Sequence, residues 1–138
     1  MEFTLEEASR VMGTVFPDFV KDLGITVESV AKDSGVHLRL PLSEKICREG
    51  NIVSGQVLAV LADTAMVYSI WVALGVQKPV STVDLHVTYL RPASKSDVIA
   101  HSEVIRLGRS LAFARVSMRI EKSMTLVATA IGTFALPQ

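Results

Sequence analysis

Cysteine is nearly missing from this chain: Cys47 is the only one in 138 residues, so no internal disulfide can form. Net charge is missing too. Fourteen Lys plus Arg balance fourteen Asp plus Glu, which leaves no excess of one sign to draw nucleic acid or an anionic membrane surface. The basic charge of a secretion signal is absent from the N-terminus, where Glu2, Glu6 and Glu7 stand instead, and the expected location is the cytoplasm. No phosphate-binding Gly-rich loop, internal repeat or low-complexity tract is visible. The three histidines, His37, His86 and His101, are isolated at strand spacing, so no metal site is expected. What is abundant is apolar side chain: 49% of residues are hydrophobic against 20% charged, with a mean hydropathy of +0.40. That excludes intrinsic disorder and exceeds what an ordinary soluble monomer needs, a surplus suited to a subunit interface. The length fits one domain over residues 1–138 and leaves no room for a separate cofactor domain; no cofactor is expected.

Hydrophobic spacing divides the chain. Thr4 with Glu7 forms a capping-box pattern ahead of Leu5, Ala8, Val11, Met12 and Val15, which predicts a short amphipathic helix. Pro17 stops it or opens a second turn through Phe19, Val20 and Leu23, closed by Gly24, so residues 1–23 read as a helical segment. From Ile25 the period changes to two, and Asp33-Ser34-Gly35 marks a hairpin turn before Val36, Leu38 and Leu40. Residues 41–53 read as a loop. Residues 54–74, closed by Gly75, are apolar on nearly every face and carry one charge, Asp63. A membrane span has this length, but an Asp at its middle costs roughly 2.5–3.5 kcal/mol on insertion and four strand-like segments follow. A helix wrapped by its own sheet is the expected form. The strands fall at 82–89, 97–107, 110–121 and 124–136, and in the third Ala112, Ala114, Val116 and Met118 share one face while Arg115, Ser117 and Arg119 share the other. Tyr68, Trp71 and Phe113 are expected to pack helix against sheet. The plan is α+β.

The helix GNIVSGQVLAVLADTAM, the strand VSTVDLHVTYLRPA and the Gly108-Arg109 turn, in that order, resemble the PaaI-like hotdog-fold acyl-CoA thioesterases, the type related to phenylacetic acid degradation, over residues 20–136. The resemblance implies a hotdog fold, a curved antiparallel sheet wrapped around a long central helix. It also implies hydrolysis of a small or aromatic acyl-CoA to free acid and CoA by a homodimer, with a homotetramer as a dimer of dimers. Where the family usually reads His-Gly-Gly at the helix start, this chain reads Ser54-Gly55-Gln56. That departure motivates the alternative of a non-catalytic acyl-CoA-binding module. A hydratase on this fold needs a His with an acidic partner, and no His lies in the helix or the loop before it.

Thioester hydrolysis needs an activated water or a carboxylate nucleophile, and donors facing the oxygen that becomes negative. Gly55 sits at a helix N-terminus, where backbone N–H groups are free and the dipole is positive. The resemblance likewise assigns it to polarising the thioester carbonyl. Asp63, among apolar helical neighbours, is expected to have a raised pKa and to serve as general base or as nucleophile; the alternative is an Asp that only accepts an interchain hydrogen bond. The two are about 12 Å apart along one helix, so if both act on one bond they come from two subunits. By the family pattern Thr82 holds the attacking water, although a β-branched strand residue is ordinary there. Ser54 is an N-cap or a substrate contact. Gln56, on the stripe of Asp63, orients the acyl chain or lies exposed in the first turn. Asn51 anchors substrate or simply serves its loop. Arg91 and Arg109 are candidates for the CoA phosphates.

Overall fold

The N-terminal segment is helical, as its capping and apolar spacing imply. The computed structural model describes residues 2–138. Helix α1 spans Leu5–Met12, with the Thr4 side chain accepting from the Glu7 N–H, and α2 is a single turn, Asp18–Lys21. Strands β1 (Thr26–Ala31) and β2 (Gly35–Leu40) form the expected hairpin. The stretch read as a loop has more order than expected. A 3-10 turn, Glu44–Ile46, leads into a small hairpin of β3 (Cys47–Arg48) and β4 (Ile52–Val53).

Helix α3 runs from Gly55 to Leu74. Ser54 caps its start by accepting from the Val57 N–H, and Gly75, at φ +80°, ends it in the left-handed conformation that glycine adopts without a Cβ clash. Four strands follow: β5 (Ser81–Tyr89), β6 (Val98–Leu107), β7 (Leu111–Ile120) and β8 (Leu126–Ala135). The six long strands make one antiparallel sheet in the order β1-β2-β6-β7-β8-β5. Its inner face wraps α3, which packs chiefly on β6, β2 and β7. This is the hotdog arrangement.

The core lies between helix and sheet. Leu61, Ala62, Ala65, Met66 and Ile70 of α3 are fully buried against Leu38, Ala100, Ala114, Val116, Met118 and Phe134. The polar residues of α3 are satisfied locally: Thr64 donates to the Val60 carbonyl, and Ser69 to that of Met66. Trp71 Nε1 donates to the Lys78 carbonyl. Aromatic packing differs from expectation in one respect. Tyr68 and Trp71 pack against each other and against Phe3 and Phe16 of the N-terminal segment, with ring centroids 5.2–6.2 Å apart. Phe113, which alternates with buried Ala112 and Ala114, points to the other face of the sheet and does not join them.

Tyr68 also donates from its buried hydroxyl to the Ala8 carbonyl of α1 at 2.7 Å, so one side chain fastens α1 to α3. Burial holds its phenol well above the usual tyrosine range. Tyr68→Phe is expected to cost about 1 kcal/mol, seen as a lower denaturant midpoint at unchanged slope, because the hydroxyl's bond is lost while the ring's packing stays.

Candidate active site

Asp63 lies two turns into α3, half-buried, and one oxygen of its carboxylate accepts from Thr82 Oγ1 at 2.9 Å. Reaching it requires a local irregularity in β5. Thr82 pairs with Phe134 of β8, yet Asp84 pairs with the adjacent Thr133, so Val83 is an extra residue bulged out of the ladder. Strict alternation would put Thr82 on the face opposite Leu85, Val87 and Tyr89. The bulge turns it onto their face, toward α3, while Val83 is left 57% exposed.

Burial raises the Asp63 carboxyl above its ordinary value, and the Thr82 hydrogen bond offsets part of that rise. The carboxylate opens on a recess of about 320 Å³ whose walls are apolar: Phe16 and Phe19 from the N-terminal segment, Val60 and Val67 from α3, and Leu85 from β5. Phe19, 62% exposed, stands at its edge. The contribution of the N-terminal segment was not legible in the sequence, where Phe16 and Phe19 only flank a proline turn.

The start of α3 is held on several sides. Val53 N–H donates to the Ala93 carbonyl and Ser54 N–H to that of Ile46, which fixes the entry of the chain. Ser54 Oγ takes the Val57 N–H at 3.2 Å. Among the described residues the N–H groups of Gly55 and Gln56 have no acceptor. They are free donors at the positive end of a twenty-residue helix. Tyr89, at the far end of β5 from Thr82, donates its hydroxyl to the Gly55 carbonyl at 2.7 Å. A second recess, of about 350 Å³, opens here and includes Arg48, Gly55, Tyr89 and Arg91.

The remaining candidates are spread. Gln56 is exposed in the first turn, about 10 Å along the helix from Asp63. Asn51 and Gly50 both have positive φ in the turn of the β3–β4 hairpin, which alone accounts for Asn there; Asn51 lines a separate recess with Cys47 and Lys95. Arg91 donates to the Leu126 carbonyl near the start of α3. Arg109 lies in the β6–β7 turn, at the Thr82 end of the sheet, so one chain does not bring the two arginines together. His37 and His101 stack on each other at 4.2 Å, on neighbouring strands away from α3, and His86 lies on the outer face of β5.

Residues 50–127 match the family model described as the thioesterase superfamily. The chain belongs to that superfamily. Membership implies thioester hydrolysis, and among its relatives is a protein of Halobacterium salinarum named as a candidate esterase. The two are 35% identical over 123 residues, which cover 84% of this chain and 80% of that one. A solved structure of another thioesterase-superfamily protein superposes with a TM-score of 0.86 at 30% identity, covering 96% of this chain and 98% of that one. Zebrafish thioesterase superfamily member 2 gives 0.84 at 25%, covering 97% and 99%.

For a superfamily member that carries its acid in a core helix, ionisation has a stability signature. The native state binds the Asp63 proton more tightly than the unfolded chain does, so stability falls as pH rises from the ordinary carboxylate range through the raised native value. Asp63→Asn keeps an acceptor for Thr82 and removes the charge. It is expected to raise the thermal midpoint at pH 7, with the gain shrinking as pH falls into the ordinary carboxylate range and vanishing below it, where both states are protonated in the parent protein.

Proposed function

We propose that this protein is an acyl-CoA thioesterase of the PaaI-like kind, cleaving a small or aromatic acyl-CoA to the free acid and CoA in the cytoplasm. The observation that carries the reading is the Asp63 carboxylate, held by Thr82 and facing an apolar recess large enough for such an acyl group. Asp63 acts as general base or nucleophile. As a base it takes a proton from a water whose oxygen attacks the thioester carbon; the C–S bond then breaks and the sulfur leaves with a proton as CoA thiol. As a nucleophile its oxygen attacks instead, CoA thiolate leaves, and water cleaves the resulting anhydride. Thr82 orients the carboxylate and the attacking water.

The negative oxygen is met by the N–H of Gly55 of the partner subunit. Two features support a dimer. Gly55 and Asp63 lie eight residues apart on one straight helix, about 12 Å, too far to serve one carbonyl. Strand β5 is an edge with unpaired backbone, and it exposes Val83 and Tyr89. Pairing that edge with its copy covers apolar surface and brings two α3 helices together about a two-fold axis. In the proposed assembly such dimers associate into a tetramer. Ser54 caps the helix beside the substrate, Gln56 and Asn51 line the approach of the acyl-CoA, and Arg91 and Arg109 receive its phosphates.

A panel of short-chain and aromatic acyl-CoAs, followed by release of free thiol, tests the reading. The parent protein is expected to turn over at least one of them, with a rate rising with pH through the raised Asp63 value, and Asp63→Ala is expected to lose about 10²–10⁴-fold in kcat. Thermal stabilisation by CoA esters without thiol release would instead identify a binding module.

A further inference from the structure

The function above assigns Tyr89 no part in the chemistry, yet its hydroxyl and ring lie against Gly55 at the start of α3. We propose that Tyr89 is a positioning residue for the amide donors that stabilise the thioester's negative oxygen. The inference rests on the reading of Asp63 and Gly55 given above.

The argument begins with the peptide plane. Tyr89 Oη donates to the Gly55 carbonyl at 2.7 Å. That carbonyl belongs to the peptide unit whose other end is the Gln56 N–H, so the bond fixes the direction in which this N–H points. The preceding unit, which carries the Gly55 N–H, is fixed by the Ser54 cap and by the hydrogen bonds of Val53 and Ser54 to the Ala93 and Ile46 carbonyls. The two free donors at the helix start are therefore aimed by separate restraints. Tyr89 provides the one restraint that comes from the strand also holding Asp63.

The ring adds a steric restraint. A Cβ placed on Gly55 would lie 3.3–3.4 Å from the Tyr89 ring carbon Cζ, from Cε1 and from the hydroxyl oxygen. The hydroxyl end of the ring thus sits close over Gly55 and blocks the helix start from shifting toward β5. Glycine leaves this close approach unstrained.

The bulge at Val83 makes the arrangement possible. Thr82 and Tyr89 are seven residues apart, an odd number, and in a regular strand they would face opposite sides. With one residue bulged out, both face α3, Thr82 at Asp63 and Tyr89 at Gly55. One strand thereby sets the geometry of both reactive positions. Donors fixed before the charge develops need no reorganisation during reaction, and a hydrogen bond to the carbonyl of a peptide strengthens donation from its N–H.

Tyr89→Phe keeps the ring and removes the hydroxyl. Measured on the full-length protein with its best acyl-CoA, it is expected to lower kcat about 10-fold while KM stays within about twofold, because the lost restraint acts on the oxygen's negative charge and not on ground-state binding. The pH midpoint of kcat is expected to stay in place, since Asp63 and Thr82 are untouched. A kcat within twofold of the parent overturns the proposal. So does a loss of kcat matched by a rise in KM and a displaced pH midpoint, which would mark a general disturbance of the site. Asp63→Asn in the same assay separates the two levels. If it is inactive while Tyr89→Phe is fully active, only the role of Tyr89 falls; if Asp63→Asn or an absence of turnover shows the site to be misread, both fall together.

Discussion

The hydrogen bond from Thr82 to Asp63 joins the one charged residue of α3 to the one irregular position of β5. A carboxylate in the middle of an apolar core helix is costly, and it persists where a donor meets it and water reaches it. Both conditions trace to β5, the first to its bulge at Val83 and the second to its place at the sheet edge. The bulge turns Thr82 inward, and because β5 is the last strand of the sheet, the side of α3 beneath it stays open instead of being sealed. The partial exposure of Asp63 and the apolar recess beside it are consequences of that placement, while the burial that remains raises its pKa against the opposing Thr82 bond.

The same strand touches α3 at two points, Asp63 through Thr82 and Gly55 through Tyr89. The helix keeps those two positions apart by its own rise. A reaction that needs Asp63 and the Gly55 amide at one carbonyl is therefore out of reach of a single chain. In the proposed dimer this separation becomes useful, since two helices related by a two-fold axis place the acid of each near the amide of the other. The unpaired edge of β5 and the apolar composition of the chain agree with such an assembly.

Much of the fold was legible in the sequence because its signals are local. The Thr4 and Ser54 caps, the left-handed Gly24, the end of α3 at Gly75 and the alternation in β7 each depend on residues within a few positions of one another, and the structure places all of them as read. Asp63 and Gly55 were legible as candidates by the same means: a lone charge in an apolar helix and a glycine at its start. What was not legible depends on pairing across the sheet. The alternation of Val83, Leu85, Val87 and Tyr89 gives no hint of a bulge, since only the register with β8 reveals it. The N-terminal segment likewise supplies the partners for Tyr68 and Trp71 by a contact between distant parts of the chain, whereas the outward face of Phe113 follows from its alternation with Ala112 and Ala114 alone. Arg91 and Arg109 looked alike as turn charges; the strand order puts them at opposite ends of the sheet.

The central claim is that each reactive centre takes its acid from one chain and its amide from another, and mixing two crippled variants tests it most directly. Asp63→Ala removes the acid. Gly55→Pro removes one N–H at the first helical position, where Ser54 already has the extended backbone, φ −64° and ψ 147°, that a following proline requires, and its added ring presses on Tyr89 of the same chain, so both effects fall on one protomer's amide. Each variant alone is expected to be nearly inactive. Unfolded together and refolded, they form mixed dimers with one intact site, and random assortment is expected to restore roughly a quarter of the parent activity. Activity no greater than the sum of the two variants measured separately would contradict the account, because it would mean that acid and amide belong to the same chain or that one of them takes no part.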